Sequence, residues 1–158
     1  MDASAVPALL GFLALNFLAA LSGARFRPGP WYQALDKPSW RPPDWLFGPA
    51  WAVLYTLNAV AGWMVWRREG LGLAILVYLA SLGLNAGWSA IFFGLKRIDW
   101  ALGWIVALWL SIAAVIALFA PTSTTAALLL FPYLAWVGFA TVLNAAIWRR
   151  NRGRPIAG

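Results

Sequence analysis

The stretch LGLAILVYLASLGLNAGWSAIFFGL (residues 71–95) runs for 25 residues without an acidic or basic side chain. A helix of this length rises about 37 Å, enough to cross the roughly 30 Å hydrocarbon core of a bilayer. The chain as a whole has the same character. Its 158 residues are 63% hydrophobic and 11% charged, whereas soluble domains carry about 25% charged residues. We therefore expect lipid to surround most of this protein.

Four further apolar segments flank this stretch, and none shows the short polar–apolar alternation of a membrane β-strand. The first segment lacks a basic N-terminal region and a clear cleavage site, so we interpret it as a retained helix and not as a signal peptide. The predicted fold class is an all-α membrane protein, a bundle of five transmembrane helices forming one domain over residues 1–158. We expect these helices at about 6–24, 46–66, 71–95, 100–120 and 126–148.

The basic residues form short clusters at the ends of the apolar segments, a pattern that indicates membrane topology and not nucleic-acid binding. In a five-span topology, all of the 12 Lys and Arg except Arg67 and Arg68 fall on one side. The positive-inside rule then predicts an external N-terminus and a cytoplasmic C-terminus. The residues on the predicted cytoplasmic side are Arg25, Arg27, Lys37, Arg41, Lys96, Arg97, Arg149, Arg150, Arg152 and Arg154.

Eleven of the 12 tryptophans fall into two groups. Those near the predicted span ends suit an interfacial belt, because indole rings favour the headgroup level. Those deeper in the spans indicate a bundle interior or a ligand cavity, since an indole N–H in hydrocarbon needs a hydrogen-bond partner. The first group is Trp31, Trp40, Trp45, Trp66, Trp100 and Trp148; the second is Trp51, Trp88, Trp104, Trp109 and Trp136.

The third span divides into two faces at 100° per residue. Asn85, Trp88 and Phe92 share a polar and aromatic face, which we expect to look into the bundle. Small residues form the opposite strip, where helix backbones can approach closely, so we predict a homodimer interface there. The alternative is packing against another helix of the same chain. The strip consists of Ala80, Gly83, Gly87, Ala90 and Gly94.

The composition excludes several kinds of chemistry. The chain has no cysteine and no histidine, so disulfides, zinc clusters and Cys or His nucleophiles are excluded, and we predict no metal site. No charged residue lies clearly in the middle of a span, which argues against ion-coupled transport. After these exclusions, the function that the sequence still allows is an aromatic cavity that binds a large, flat, apolar ligand. The four asparagines within the spans could form packing contacts between helices.

The only long connector between predicted spans is the loop 25–45, which contains WYQALDKPSWRPPDW (31–45). Pro38, Pro42 and Pro43 stiffen this loop because each proline ring holds its backbone φ angle. Considered by itself, the segment is typical of an interfacial loop that lies on the lipid headgroups.

Three stretches resemble the translocator protein family, also called tryptophan-rich sensory proteins or peripheral benzodiazepine receptors. They are WYQALDKPSWRPPDWLFGPAWAVLY (31–55), LNAGWSAIFFGLKRIDWAL (84–102) and PYLAWVGFATVLNAAIWR (132–149). The resemblance implies a five-helix bundle, commonly dimeric, whose loop 25–45 is a lid over a ligand pocket. It places these ligand-binding residues in or over the pocket: Tyr32, Trp51, Asn85, Trp88, Phe92, Trp100, Trp136, Ala140 and Leu143.

The family's ligands imply the partners of this chain. They are porphyrins, above all protoporphyrin IX, together with cholesterol and synthetic isoquinoline carboxamide or benzodiazepine drugs. The leading hypothesis is a receptor for tetrapyrrole sensing, regulation or disposal that needs no cofactor beyond its ligand. One alternative is an enzyme that degrades porphyrin in light and oxygen, with Trp51 and Trp136 as candidate catalytic residues. The other is a transporter of porphyrin or lipid.

The chain departs from the animal pattern at Ala145, where the sterol motif of animal members has a tyrosine. Because such motifs are weak even when intact, we expect poor sterol binding. The compact, cysteine-free chain suits a bacterial member. The resemblance and the positive-inside pattern predict the bacterial cytoplasmic membrane, with the outer membrane as the alternative.

Overall fold

The computed structural model describes residues 5–153, and within that range the chain is helical and contains no strand. The prediction of an all-α protein is thus confirmed. Connectors and one π-helical turn (Ala90–Gly94) separate the α-helices. The α-helices are α1 (Ala5–Arg25), α2 (Pro30–Ala34), α3 (Asp44–Glu69), α4 (Leu73–Ser89), α5 (Ile98–Phe119), α6 (Thr124–Leu129) and α7 (Phe131–Asn151).

Four helical segments in the described part of the chain are long and apolar enough to cross a membrane: α1, Leu73–Gly94, α5 and Thr124–Asn151. The chain is therefore a multi-pass membrane protein. The helix α3 is the longest, with 26 residues, yet it is less apolar than these four because it contains Pro49 and ends in Arg67, Arg68 and Glu69.

The last predicted span is two helices. Pro132 has no backbone N–H, so it cannot donate the hydrogen bond that would continue α6 into α7. The helix α6 ends at Leu129, and α7 begins at Phe131 with Pro132 in its first turn. The span predicted over 126–148 is therefore interrupted between Leu129 and Phe131 and is not one continuous helix.

The helices close into a ring. The helix α1 packs on α3 and α4, α5 packs on α4 and α7, and α6 packs on α3. In contrast, α3 and α7 touch only sparsely. Both helices contribute, together with α1, α4 and α5, to the wall of a cavity inside the bundle.

Contacts between connectors distinguish the two ends of the ring. The backbone of Asp36, in the connector before α3, is hydrogen-bonded to the side chain of Asn151 at the end of α7. At the opposite end, the Arg68 guanidinium donates to the Thr122 carbonyl at 2.5 Å. The connector and the end of α7 therefore lie at the same end of the bundle. The positive-inside rule requires this arrangement, because both segments carry basic residues. Arg154 lies outside the described residues.

The end near Arg68 is filled by large side chains. Tyr78 and Phe12 press against Gly62, where an added Cβ would meet the Tyr78 ring at 2.7 Å. An internal polar network lies beside them. The Asn16 amide donates to the Tyr78 hydroxyl at 2.7 Å, and the Asn58 amide donates to the Asn16 carbonyl oxygen at 2.7 Å. These asparagines are satisfied between helices, as polar groups in lipid require.

Candidate ligand-binding site

A cavity of about 640 Å³ lies in the half of the bundle that faces the connector. Helices α1, α3, α4, α5 and α7 contribute to its wall, and connector residues line one end. The wall is mainly apolar and aromatic. Its residues include Phe17, Tyr32, Phe47, Trp51, Tyr55, Asn85, Trp88, Phe92, Phe93, Ile105, Leu108, Trp136, Val137, Ala140, Leu143, Asn144 and Ile147.

Two indoles from opposite helices form one side of the wall. Trp51 of α3 and Trp136 of α7 meet edge to face, with ring centroids 6.5 Å apart. Trp51 also stacks on Tyr55, one helical turn further along α3, at 5.3 Å. Trp136 contacts Phe47 at 5.8 Å. Because edge-to-face and offset pairs are the favoured aromatic geometries, these rings hold one another in place.

Asn85 joins two tyrosines from different helices behind this wall. Its side-chain oxygen accepts from the Tyr55 hydroxyl at 2.5 Å, and its amide nitrogen donates to the Tyr133 hydroxyl at 2.7 Å. All three residues are buried. Asn85 therefore holds α3 and α7 at a set distance from α4 through hydrogen bonds that lipid cannot replace.

A second asparagine orients the indole of Trp88. The Trp88 N–H donates to the Asn144 oxygen at 3.2 Å, and the Asn144 amide donates to the Ile98 carbonyl at 3.1 Å. The Trp88 ring lies 5.1 Å from the Phe92 ring. Trp88 lines the cavity with its indole N–H already paired, so it contributes its aromatic ring and not a free donor.

The connector packs on the cavity wall through Tyr32. The Tyr32 ring is buried, and it meets Phe92 at 6.0 Å and Phe93 at 5.4 Å. Burial raises the pKa of the Tyr32 phenol, which therefore stays protonated near neutral pH. The Lys37 ammonium holds the turn after α2, because it donates to the carbonyls of Tyr32 and Leu35 at 2.7 and 2.9 Å.

The structure brings together all the predicted ligand-binding residues except Trp100. Trp100 is 58% exposed and lies under the Arg97 guanidinium, whose central carbon is 4.3 Å from the ring centroid. The helical register explains the position of Trp100. Ile98 and Ala101 are the buried residues at the start of α5, and Trp100 points away from both.

The strip of small residues on α4 and the π-helical turn is partly occupied within the chain. An added Cβ at Gly87 would meet the Trp104 ring at 2.7 Å, and one at Gly94 would meet the Phe26 ring at 2.9 Å. An added Cβ at Gly83 would meet nothing within 4 Å. Ala80 and Gly83 are exposed, and Ala90 is half-buried. Only part of the predicted dimer strip is therefore open to a second chain.

Two deep tryptophans do not line the cavity. Trp104 lies across Gly87 and donates its N–H to the Leu84 carbonyl at 2.6 Å. Trp109 lies across Gly138 of α7, where an added Cβ would meet its indole nitrogen at 3.1 Å. Both indoles cover glycines of neighbouring helices, and both rings are at least a third exposed. Their positions inside the predicted spans thus indicated that they belong to the helix bundle, but not whether they line the cavity.

Some wall residues went unpredicted. Tyr55 follows Trp51 by four residues, a spacing that puts both on one helical face, so periodicity could have found it. Phe47 lies one turn before Trp51 and carries the same signal. Ile105 and Leu108 are ordinary apolar residues of α5, and no local signal distinguishes them from the rest of the core.

A family model for the TspO/MBR family matches residues 5–149, a range that includes every wall residue named above. The chain belongs to the TspO/MBR family. It is 42% identical over 148 residues to the tryptophan-rich sensory protein of Cereibacter sphaeroides, with 94% of each chain covered. It is 39% identical over 160 residues to the translocator protein of Homo sapiens, covering 94% of this chain and 92% of the relative.

A third similar protein is Protein CrtK of Rhodobacter capsulatus, 42% identical over 143 residues, with 87% of this chain and 89% of the relative covered. Membership confirms the resemblance recognised from the three sequence stretches. In this TspO/MBR chain those stretches contribute Trp51, Trp88 and Trp136 to the cavity, from three different helices.

Proposed function

We propose that this chain is a membrane receptor that binds porphyrins such as protoporphyrin IX, for tetrapyrrole sensing, regulation or disposal. The observation that carries the proposal is the cavity of about 640 Å³ walled by Trp51, Trp88, Phe92 and Trp136. Small-molecule sites usually measure about 300–1,000 Å³ and are mostly apolar. Aromatic faces are suited to a flat conjugated ring by stacking and dispersion.

The hydrogen bonds of the wall support the same class of ligand. Asn85 and the N–H of Trp88 are engaged by protein groups, so these two residues leave mainly apolar and aromatic contacts for a ligand on their part of the wall. Synthetic isoquinoline carboxamide and benzodiazepine-type drugs, which are also flat and apolar, are proposed as further ligands. Sterol binding is expected to be weak, because Ala145 stands where the animal motif needs a tyrosine.

The proposed arrangement in the membrane is a five-span bundle whose loop 25–45 acts as a lid. With α3 as the fifth crossing helix, the connector and the end of α7 face the cytoplasm and the Arg67–Arg68 end faces outward. The membrane proposed is the bacterial cytoplasmic membrane. A homodimer would use the open part of the small-residue strip, at Ala80 and Gly83.

Titration with protoporphyrin IX in the dark tests the receptor. The porphyrin's own absorption is followed with the detergent-purified chain, Trp51→Phe, Trp136→Phe and the control Trp100→Phe. We expect saturable binding near micromolar, about −8 kcal/mol. Each cavity variant should lose about 1 kcal/mol, roughly fivefold, as aromatic contact is lost. The control should match the wild type, because Trp100 lies outside the cavity. Unsaturable signals, equal in all four proteins, would mean that the porphyrin only partitions into detergent.

A second candidate function is light- and oxygen-dependent porphyrin degradation. The edge-to-face contact of Trp51 and Trp136 at the cavity wall favours it, because a photosensitising ligand there would lie beside two readily oxidised indoles. Illumination of the complex in air tests this function. A new porphyrin product that forms more slowly in Trp51→Phe and Trp136→Phe at equal ligand occupancy would support it. Equal rates in all proteins would reject it.

A further inference from the structure

The end of the cavity near the connector carries an uncompensated positive charge. Arg27 and Asp44 are the charged side chains that line the cavity within residues 5–153. Asp44 forms an ion pair with Arg41, which neutralises it. Arg27 donates through Nε to the Ala24 carbonyl at 2.9 Å. Its two terminal nitrogens make no hydrogen bond to the described part of the protein, so they are available to a ligand.

The backbone on both sides of Arg27 is anchored. The Phe26 N–H donates to the Ser22 carbonyl at 2.9 Å, which continues the last turn of α1. The Phe26 ring lies against the backbone of Gly94. Pro28 follows, with its φ angle held by the ring, and it also lines the cavity. The Arg27 guanidinium is thus attached at a defined place, although its side chain is exposed.

We propose that Arg27 receives a carboxylate of the ligand, so that the site selects amphipathic anions with a flat apolar body over neutral molecules of the same shape. This inference rests on the proposed function and deepens it. A guanidinium matches a carboxylate with two parallel N–H···O bonds. Because Arg27 is exposed, the carboxylate keeps part of its hydration, and the pair avoids the desolvation cost of a buried ion pair. The propionate groups of a porphyrin fit this description.

The test compares protoporphyrin IX with its uncharged dimethyl ester. Both are titrated in the dark against the wild type, Arg27→Gln, Arg27→Lys and the control Arg25→Gln. Arg25 is a matched control because it is exposed, lies two residues away over the Phe26 ring, and does not line the cavity. At low salt we expect Arg27→Gln to weaken binding of the free acid about threefold to fivefold, as for a well-formed exposed ion pair.

Three further results are expected together. Ester affinity stays unchanged in Arg27→Gln, and high salt removes the preference of the wild type for the acid. Arg27→Lys loses less affinity for the acid than Arg27→Gln does, because lysine keeps the charge but not the two parallel N–H donors. Equal losses for acid and ester in Arg27→Gln would overturn the inference, because they would indicate a structural role. No loss for either ligand would overturn it too. In each of these cases, saturable binding of the ester would still support the proposed receptor function. Failure of the wild type to bind either tetrapyrrole would reject both that function and the role of Arg27.

Discussion

The side-chain amide of Asn151 pairs with both backbone groups of Asp36, 115 residues away. The Asp36 N–H donates to the Asn151 oxygen at 3.0 Å, and the Asn151 nitrogen donates to the Asp36 carbonyl at 2.9 Å. The same nitrogen also donates to the Ile147 carbonyl at 2.7 Å. An amide side chain thus imitates a peptide group and joins the connector to the end of α7. Ile147 lines the cavity, so this joint lies next to the candidate site.

Replacing Asn151 should loosen the connector. Asn151→Leu keeps the size of the side chain but removes both of its hydrogen bonds to the Asp36 backbone, a loss of roughly 1–3 kcal/mol at about 0.5–1.5 kcal/mol for each bond. We expect faster amide hydrogen exchange across residues 31–43 and faster release of a bound porphyrin. Exchange followed by mass spectrometry, with stopped-flow dissociation beside it, measures both.

Arg150→Gln is the matched control for the connector. It removes only the exposed ion pair to Asp36 at 3.4 Å and keeps the Asn151 pairing, so it should change exchange little. A similar increase in both variants would show that the ion pair, and not the amide pairing, holds the connector. Unchanged hydrogen exchange in Asn151→Leu would show that the Asn151 hydrogen bonds do not hold the connector in place.

The position of α3 in the membrane can be settled by cysteine labelling, because the natural chain contains no cysteine. Ser39→Cys precedes α3 and Leu71→Cys follows it, and both positions are exposed. A helix of 26 residues rises about 39 Å, so α3 is long enough to cross. We therefore expect a membrane-impermeant maleimide to label the two variants from opposite sides of intact vesicles. Labelling of both from one side would mean that α3 does not cross and that the chain has four spans.

Gly83 and Gly87 lie one turn apart in α4, and replacing each with alanine should affect the stability of the protein differently. In Gly87→Ala the new Cβ would lie 2.7 Å from the Trp104 ring, so the indole must move and weaken its hydrogen bond to Leu84. We expect a loss of about 1–3 kcal/mol, as for overpacked cores. Gly83→Ala meets nothing within 4 Å and should leave stability unchanged or slightly raised. Thermal unfolding in detergent compares them, and an unaffected Gly87→Ala would mean that Trp104 does not pack on this helix.

Local patterns were enough for the all-helical fold class and for one face of the site. Long runs without charge can only be satisfied in lipid as helices, because a helix pairs its own backbone groups. Helical periodicity placed Asn85, Trp88 and Phe92 on one face of the third span, and all three line the cavity. The same reasoning predicted one continuous helix over 126–148 and did not show that it breaks between Leu129 and Phe131.

The tryptophans show where local patterns end. Trp88 and Trp104 are both deep in apolar spans, yet one lines the cavity and the other covers Gly87 of a neighbouring helix. Trp100 shares a motif with family ligand residues, but the register of α5 turns it outward against Arg97. Which helix a side chain meets depends on how the helices pack, and no pattern within a single span contains that information.

The sequence by itself determined a membrane-embedded helical bundle, its family and the rings available to build a site, because charge content, periodicity and motif spacing are properties of neighbouring residues. The tertiary structure alone decided which of those rings share a cavity, which glycines are filled by indoles, and how Asn151 holds Asp36. Those contacts join residues from separate helices, with Asp36 and Asn151 separated by 115 positions, so they exist only once the helices have packed.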